Sequence, residues 1–206
     1  MTNDTQHFFI IESAPDGKGI PYFIDKEWTP DLPNYEFYDA PPCESEFAAS
    51  YELKAKTTQL KGDYLVDENL ASLDMILLCK KLDIKIIGIP INVLLQRGKK
   101  TDKDYFLFFL LDYISILDEN GSIYEISADP ETGKLNTPEE RGLNKIYYES
   151  ISHFEIKSGI TKHLFICNEI VAPVCSLLFK QEYERLGLTG ISFRPIDDSY
   201  SYSAWD

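Results

Sequence analysis

The stretch Ile160 to Ile196, ITKHLFICNEIVAPVCSLLFKQEYERLGLTGISFRPI, reads as strand, helix, tight turn and strand, with turn chemistry at each junction. Leu164 to Cys167 is a short apolar run that Asn168 ends, and Asn168 suits a helix N-cap because its side-chain oxygen accepts a free first-turn N–H. Val171, Val174, Cys175 and Leu178 recur at steps of three and four, which places them on one helix face. Pro173 lies past the first turn of a helix capped at Asn168. The regular helix is therefore expected to begin at Pro173, where proline is tolerated. Gly187 suits the left-handed position that closes a helix, and Gly190 lets the chain turn into a strand Ile191 to Arg194, which Pro195 stops or confines to an edge.

Working outward, 206 residues suggest one domain spanning 1–206, with two small lobes as the alternative. A hydrophobic content of 44% with 26% charged residues is that of a folded protein. The 34 acidic against 20 basic residues give a net charge of -14, which repels nucleic-acid phosphates and anionic membranes and favours solubility or a basic partner. The start Met1-Thr2-Asn3-Asp4 has no basic segment, and Phe8 to Ile11 is too short for a signal-peptide core, so a cytoplasmic location is expected. Cys43, Cys79, Cys167 and Cys175 form no C-x-x-C pair. Cys79, Cys167 and Cys175 sit among apolar residues and read as buried free thiols.

In chain order, Phe8 to Glu12 reads as a strand, Ala14 to Gly19 as a turn and Ile20 to Ile24 as a second strand. Residues 28–47 form a Pro-rich loop, because Pro30, Pro33, Pro41 and Pro42 forbid regular pairing. Tyr51, Leu53 and Ala55 alternate with polar residues as in a half-exposed strand. Asp67 can cap a helix with Leu70, Leu73 and Leu77 on one face and Lys80 and Lys81 at its end, and an apolar strand Ile84 to Ile91 follows. This unit echoes Ile160–Ile196, as a possible internal repeat. Tyr105 to Leu111 reads as a buried strand. Asp118-Glu119-Asn120-Gly121 reads as a hairpin turn pairing Ile114 to Leu117 with Ser122 to Ile126. Thr137-Pro138-Glu139-Glu140 suits one helical turn, and Ile146 to Ile156 reads as a strand. Strands outnumber helices, so the expected class is α+β: an antiparallel or mixed sheet with a few packed helices.

No catalytic motif is present. His7, His153 and His163 sit in no metal-binding spacing, and G-x-S-x-G, G-x-x-x-x-G-K and G-x-G-x-x-G are missing. No catalytic, metal or cofactor site is therefore expected. Asp25, Asp112, Asp118 and Glu125 are carboxylates that folding could pair for acid/base work, but 34 acidic residues make such pairs commonplace.

The run Leu188 to Phe193 after an amphipathic helix, preceded by a strand ending Cys167-Asn168-Glu169, resembles the C-terminal signature of the immunity-protein-11-like family of bacterial polymorphic toxin systems. Asp63-Tyr64-Leu65, Asp67 to Lys81, Ile84 to Ile91, Tyr105 to Asp118 and His163 to Phe193 follow that family's element order, so the likeness covers about residues 50 to 196. The resemblance implies a non-catalytic immunity protein that binds and neutralises a cognate protein toxin. Many such toxins attack nucleic acids through basic clefts, which an acidic inhibitor would match. The expected contact residues are acidic and aromatic: Trp28, Asp31, Tyr35, Glu36, Tyr38 and Asp39 in the loop, or Asp197, Asp198, Tyr200, Tyr202 and Trp205 in the tail 197–206, for which a frayed terminus is the alternative. The loop aromatics have the alternative role of a flap packed on the core. The competing reading is a hydrolase or transferase with a carboxylate-based site, which a pocket gathering two carboxylates and a histidine would favour. The oligomeric state is left open.

Overall fold

The computed structural model describes residues 7–34 and 40–205. In chain order the strands and helices are β1 (Phe8–Ser13), β2 (Lys26–Thr29), β3 (Tyr51–Ala55), β4 (Tyr64–Leu65), β5 (Leu70–Ser72), α1 (Leu73–Lys81), β6 (Ile86–Leu94) and β7 (Tyr105–Leu110). There follow β8 (Tyr113–Ile114), β9 (Ile123–Ile126), α2 (Pro138–Arg141), β10 (Tyr148–His153), β11 (Leu164–Cys167), β12 (Ala172–Ser176), α3 (Leu177–Arg185), β13 (Ile191–Pro195) and β14 (Tyr202–Ser203). The class is α+β, as the sequence predicts. The strands form a six-stranded sheet ordered β2-β3-β6-β7-β5-β4, a five-stranded sheet ordered β13-β1-β12-β11-β8 and a three-stranded sheet ordered β14-β10-β9.

The echo between the two helix-strand units is a topological repeat. In the six-stranded sheet a hairpin β4–β5 leads through α1 to β6, and β7 lies antiparallel between β5 and β6. In the five-stranded sheet a hairpin β11–β12 leads through α3 to β13, and β1 lies antiparallel between β12 and β13. The helices correspond residue for residue once their caps are aligned. The hydroxyl of Ser72 accepts from Met75 N, and that of Ser176 from Phe179 N. Met75 and Cys79 face the core on α1, as do Phe179 and Tyr183 on α3, and all four join one apolar cluster. Each helix ends in the same way: Ile84 N bonds Cys79 O and Leu188 N bonds Tyr183 O, across left-handed Asp83 (φ 53) and Gly187 (φ 66).

Several expectations are corrected by this arrangement. The helices begin at Leu73 and Leu177, not after Asp67 or Asn168, because the segments Val66 to Asn69 and Asn168 to Val171 turn tightly and are followed by strands. Asn69 (φ 51) and Val171 (φ 49) take left-handed conformations in those turns. Leu70 therefore lies in a strand, while Leu73 and Leu77 are exposed. Val174, Cys175 and Pro173 lie on β12 rather than on a helix; pairing with β1 ends at Val174, one residue short of Pro173, which has no N–H to donate. Ile20 to Ile24 is not a strand: Ile20 and Ile24 are buried anchors of a bent loop, and β2 starts at Lys26. The turn at Asp118 forms, with Gly121 N and Ser122 N bonding Asp118 O, but it joins no hairpin. β8 instead pairs in parallel with β11, and β9 pairs with β10. Ile116 and Leu117, both buried, leave the sheet to fill the core between them.

The two sheets that carry the repeat are joined at Asp63. Its carboxylate accepts from Ser72 Oγ (2.7 Å), Lys103 Nζ (2.6 Å), Thr189 N (2.9 Å) and Thr189 Oγ1 (3.2 Å). Thr189 O in turn accepts from Asp63 N, Tyr64 N and the Tyr183 hydroxyl. Gly190 then passes so close to Tyr64 that a Cβ there would lie 2.3 Å from the Tyr64 carbonyl oxygen, at φ +117. Asp63-Tyr64 and Thr189-Gly190 thus lie against each other.

Two substitutions test this account in opposite directions. Gly190→Ala is expected to destabilise the fold by more than about 2 kcal/mol, since it combines a forced conformation with a backbone clash. Asp83→Gly is expected to stabilise by about 0.5–1 kcal/mol, because it relieves a side chain from the left-handed position that closes α1. Chemical denaturation of both variants measures the two changes.

Candidate functional site

The proposed contact residues fall into three groups. Trp28 lies on β2, half-buried, with its ring edge-on to Tyr51 at 6.0 Å, so it packs on the core. Asp31 is exposed two residues after the strand ends, and Tyr35, Glu36, Tyr38 and Asp39 lie outside the described residues. The third group is the tail, where Tyr200 departs from expectation and the alternative of a frayed terminus is set aside as far as Trp205. Tyr200 is buried among Phe154 and other core residues, with the Arg194 guanidinium over its ring, and cannot reach a partner from there. The tail to Trp205 is tied down: Tyr202 and Ser203 pair with Ile151 and Ser150 of β10, and Ala204 N bonds Glu149 O. Asp197 turns back on Ser199, accepting from its N and Oγ, and Asp198 is exposed beside it.

Trp205 is the member of this set that the fold presents outward. Trp205 is 82% exposed, and its indole N–H donates to the Glu149 carboxylate. An aromatic surface of this size left in water while its polar edge is fixed is pre-oriented for contact. It borders the outer face of the three-stranded sheet, where Ile123 and Glu125 are exposed on β9.

A second aromatic feature escaped the sequence reading, which placed Tyr22 and Phe23 in a strand. They are 78% and 76% exposed, at the tip of the loop between buried Ile20 and Ile24. The loop is held from below by Asp16, whose Oδ1 accepts from the N–H groups of Lys18, Gly19 and Ile20 at 2.8–2.9 Å. The sequence predicts the turn itself at Ala14 to Gly19; what escaped was that Asp16 collects several N–H groups at once and so braces an exposed loop after it in place of a strand.

Two of the clefts formed by the described residues bear on function. The larger, about 380 Å³, lies where β3 and β6 end side by side and is lined by Glu27, Lys54, Ala55, Lys56, Leu94, Leu95, Gln96, Arg97 and Gly98. The smaller, about 230 Å³ and polar, is bounded by Leu82, Asp83, Ile84, Asp112, Thr161, Lys162, His163 and Leu164. In it Asp112 pairs with Lys162 and more distantly with Lys85 (4.0 Å), while His163 Nδ1 lies 2.9 Å from Ser176 Oγ. His163 stands to Ser176 as Asp63 stands to Ser72: each side chain meets the hydroxyl that caps the following helix. Thr189 fills the space beside Asp63, whereas the space beside His163 is this cleft.

The other titratable candidates are not gathered. Asp25 pairs with Lys56, Asp118 accepts from Asn120 N, and Glu125 is exposed on β9. Burial pushes the Cys79 thiol up to about 12, and burial together with the adjoining Glu169 pushes Cys167 well above its ordinary value, which disfavours thiolate chemistry at either. Among the described residues no three His, Cys, Asp or Glu side chains converge as metal ligands, and no helix is long and apolar enough to cross a membrane. Comparison with protein-family models and with curated proteins gives no match.

The Asp16 loop has a defined pH response. Its backbone hydrogen bonds, first from Gly19 and then from Ile20 and Lys18, hold the carboxyl at about 2, below its ordinary 3.8. A carboxyl depressed on folding stabilises its loop fully above the ordinary value and loses that contribution as pH falls through about 2. Carboxyl resonances followed by NMR are expected to show an Asp16 midpoint near 2, with the Tyr22 ring signals moving in step. A midpoint near 3.8 would show that the loop is not held this way.

Proposed function

We propose that this chain is a non-catalytic immunity protein that binds a cognate protein toxin through an acidic and aromatic surface. The observation that carries the reading is Trp205, an almost fully exposed indole braced by Glu149 on a chain of net charge -14. The resemblance of residues 50 to 196 to the immunity-protein-11-like family supplies the partner class. A large rigid aromatic beside carboxylates is the pattern of an interface anchor, and the excess negative charge favours a basic partner by speeding encounter. Asp197 and Asp198 at the root of the tail and Asp31 beyond β2 add exposed negative charge. The cytoplasm, where such a toxin would act on its producer, is the compartment this reading requires.

A second reading has one observation in its favour. The polar cleft brings Asp83, Asp112 and His163 to one opening, the combination of two carboxylates and a histidine that a hydrolase or transferase site would use. Against it, Asp112 is already paired with Lys162, and His163 is engaged by Ser176.

Co-expression separates the two. The chain is expected to rescue growth of cells expressing its cognate toxin, and to bind that toxin with an association rate that falls steeply with added salt. Trp205→Ala is expected to weaken binding by about 2 kcal/mol or more while leaving the fold intact. His163→Ala is expected to leave rescue unchanged. Rescue that survives Trp205→Ala but is lost with His163→Ala, without loss of folding, would overturn the binding reading in favour of the enzymatic one.

A further inference from the structure

The cleft at the ends of β3 and β6 contains an arginine that the rest of the molecule leaves unused. The chain has four arginines, and in it acidic residues outnumber basic ones by 34 to 20. Arg141 pairs with Asp129 (3.0 Å), Arg185 with Glu182 (2.8 Å) and Arg194 with Glu12 (3.6 Å). Among the described residues Arg97 has no carboxylate partner. Its backbone is also in the left-handed region, at φ 61 and ψ 26, which a residue with a side chain enters only at a cost.

That conformation is imposed by a clamped turn. Leu95 N bonds Lys99 O, Gly98 N bonds Leu95 O, Gln96 N bonds Thr57 O, and the Gln96 side-chain amide donates to Lys56 O. The turn is thereby fastened to the end of β3, and Arg97 lines the cleft that the two strand ends leave open. Ala55 and Leu95, both buried, contribute apolar surface to the lining. Lys54 and Lys56 supply further cations, against one carboxylate in the lining, Glu27; Lys56 is held by Asp25 at 2.9 Å, and Lys54 has only a loose pair with Glu52 at 3.6 Å.

We infer that this cleft is a binding site for a small organic anion, with the oxyanion on the Arg97 guanidinium and an apolar part on the Ala55 and Leu95 surface. A guanidinium presents a planar fork of donors that matches a carboxylate or a phosphate two atoms at a time. Among the described residues Arg97 pairs with no carboxylate, Glu27 of the same cleft included, which leaves its guanidinium open to an incoming anion. The site lies outside the toxin-binding surface proposed above and does not depend on it.

The test uses the full chain with three probes: inorganic phosphate, phenyl phosphate and benzoate, followed by NMR chemical shifts or calorimetry. The variant Arg97→Gly removes the guanidinium while placing at φ 61 the residue best suited to it, so folding is preserved. Saturable binding of phenyl phosphate or benzoate is expected, with whichever binds more tightly naming the head group, and inorganic phosphate weaker than phenyl phosphate. Arg97→Gly is expected to weaken binding about tenfold or more, and Lys54→Ala by less. No saturable binding of any probe, or equal affinities in wild type and Arg97→Gly, would overturn the site. Equal affinity for phosphate and phenyl phosphate would leave an adventitious ion only and overturn the organic ligand.

Discussion

Asp63 is the constraint on which the two main sheets depend. It is 2% exposed, and a buried carboxylate is tolerated only when its lone pairs and its charge are both satisfied. Its four donors come from three places far apart in the chain: the cap of α1 at Ser72, Lys103 ahead of β7, and Thr189 ahead of β13. Separating the sheets would take from this carboxylate both donors of Thr189, and from the Thr189 carbonyl the N–H groups of Asp63 and Tyr64. Close approach of Gly190 to Tyr64 makes the joint specific in shape as well as in charge.

Around that joint the chain uses one construction twice. A short hairpin with a left-handed residue in its turn leads to a serine-capped helix and then to a strand two places away in the sheet, with a third strand between. In the first copy the intervening strand is β7, which follows in sequence. In the second it is β1, from the start of the chain, so the N-terminal strand is locked into the C-terminal sheet on both edges. The copies then diverge where they meet. Asp63 is closed over by Thr189, while its counterpart His163 borders an open polar cleft, with Lys85, Lys162 and Asp112 sharing charge at its rim.

The surface inherits its character from what this framework leaves outside. Acidic residues are spread widely, and among the described residues the most exposed aromatics are braced: Trp205 by Glu149, and Tyr22 with Phe23 by the Asp16 turn. Side chains held this way lose little freedom on contact, which is what makes a small patch effective. The corner at Arg97 gathers three cations, Lys54, Lys56 and Arg97, against one carboxylate, Glu27, in a chain whose net charge is -14.

Local chemistry alone determined a good part of this protein. The apolar runs of β1, β6, β7, β11 and β13, the turns at Asp16 and Asp118, the helical turn after Thr137 and the left-handed Gly187 were legible, because each depends on residues within a few positions. The burial of Cys79, Cys167 and Cys175 was legible for the same reason. The helix starts were not. Asp67 and Asn168 are good caps in isolation, but the chain instead makes a hairpin there, and the pairing of Leu70 with Leu107 and of Pro173 with Ile166 is set by strands elsewhere. The hairpin expected at Asn120-Gly121 failed likewise: the turn satisfied its local preference, while its flanking segments found better partners in β10 and β11. Among the candidate contact residues, nothing in the composition of the tail distinguishes Tyr200 from Trp205. Whether an aromatic near a terminus is buried or displayed depends on which core lies beneath it, and only the assembled sheets decided that Tyr200 fills the space beside Phe154 while Trp205 faces water.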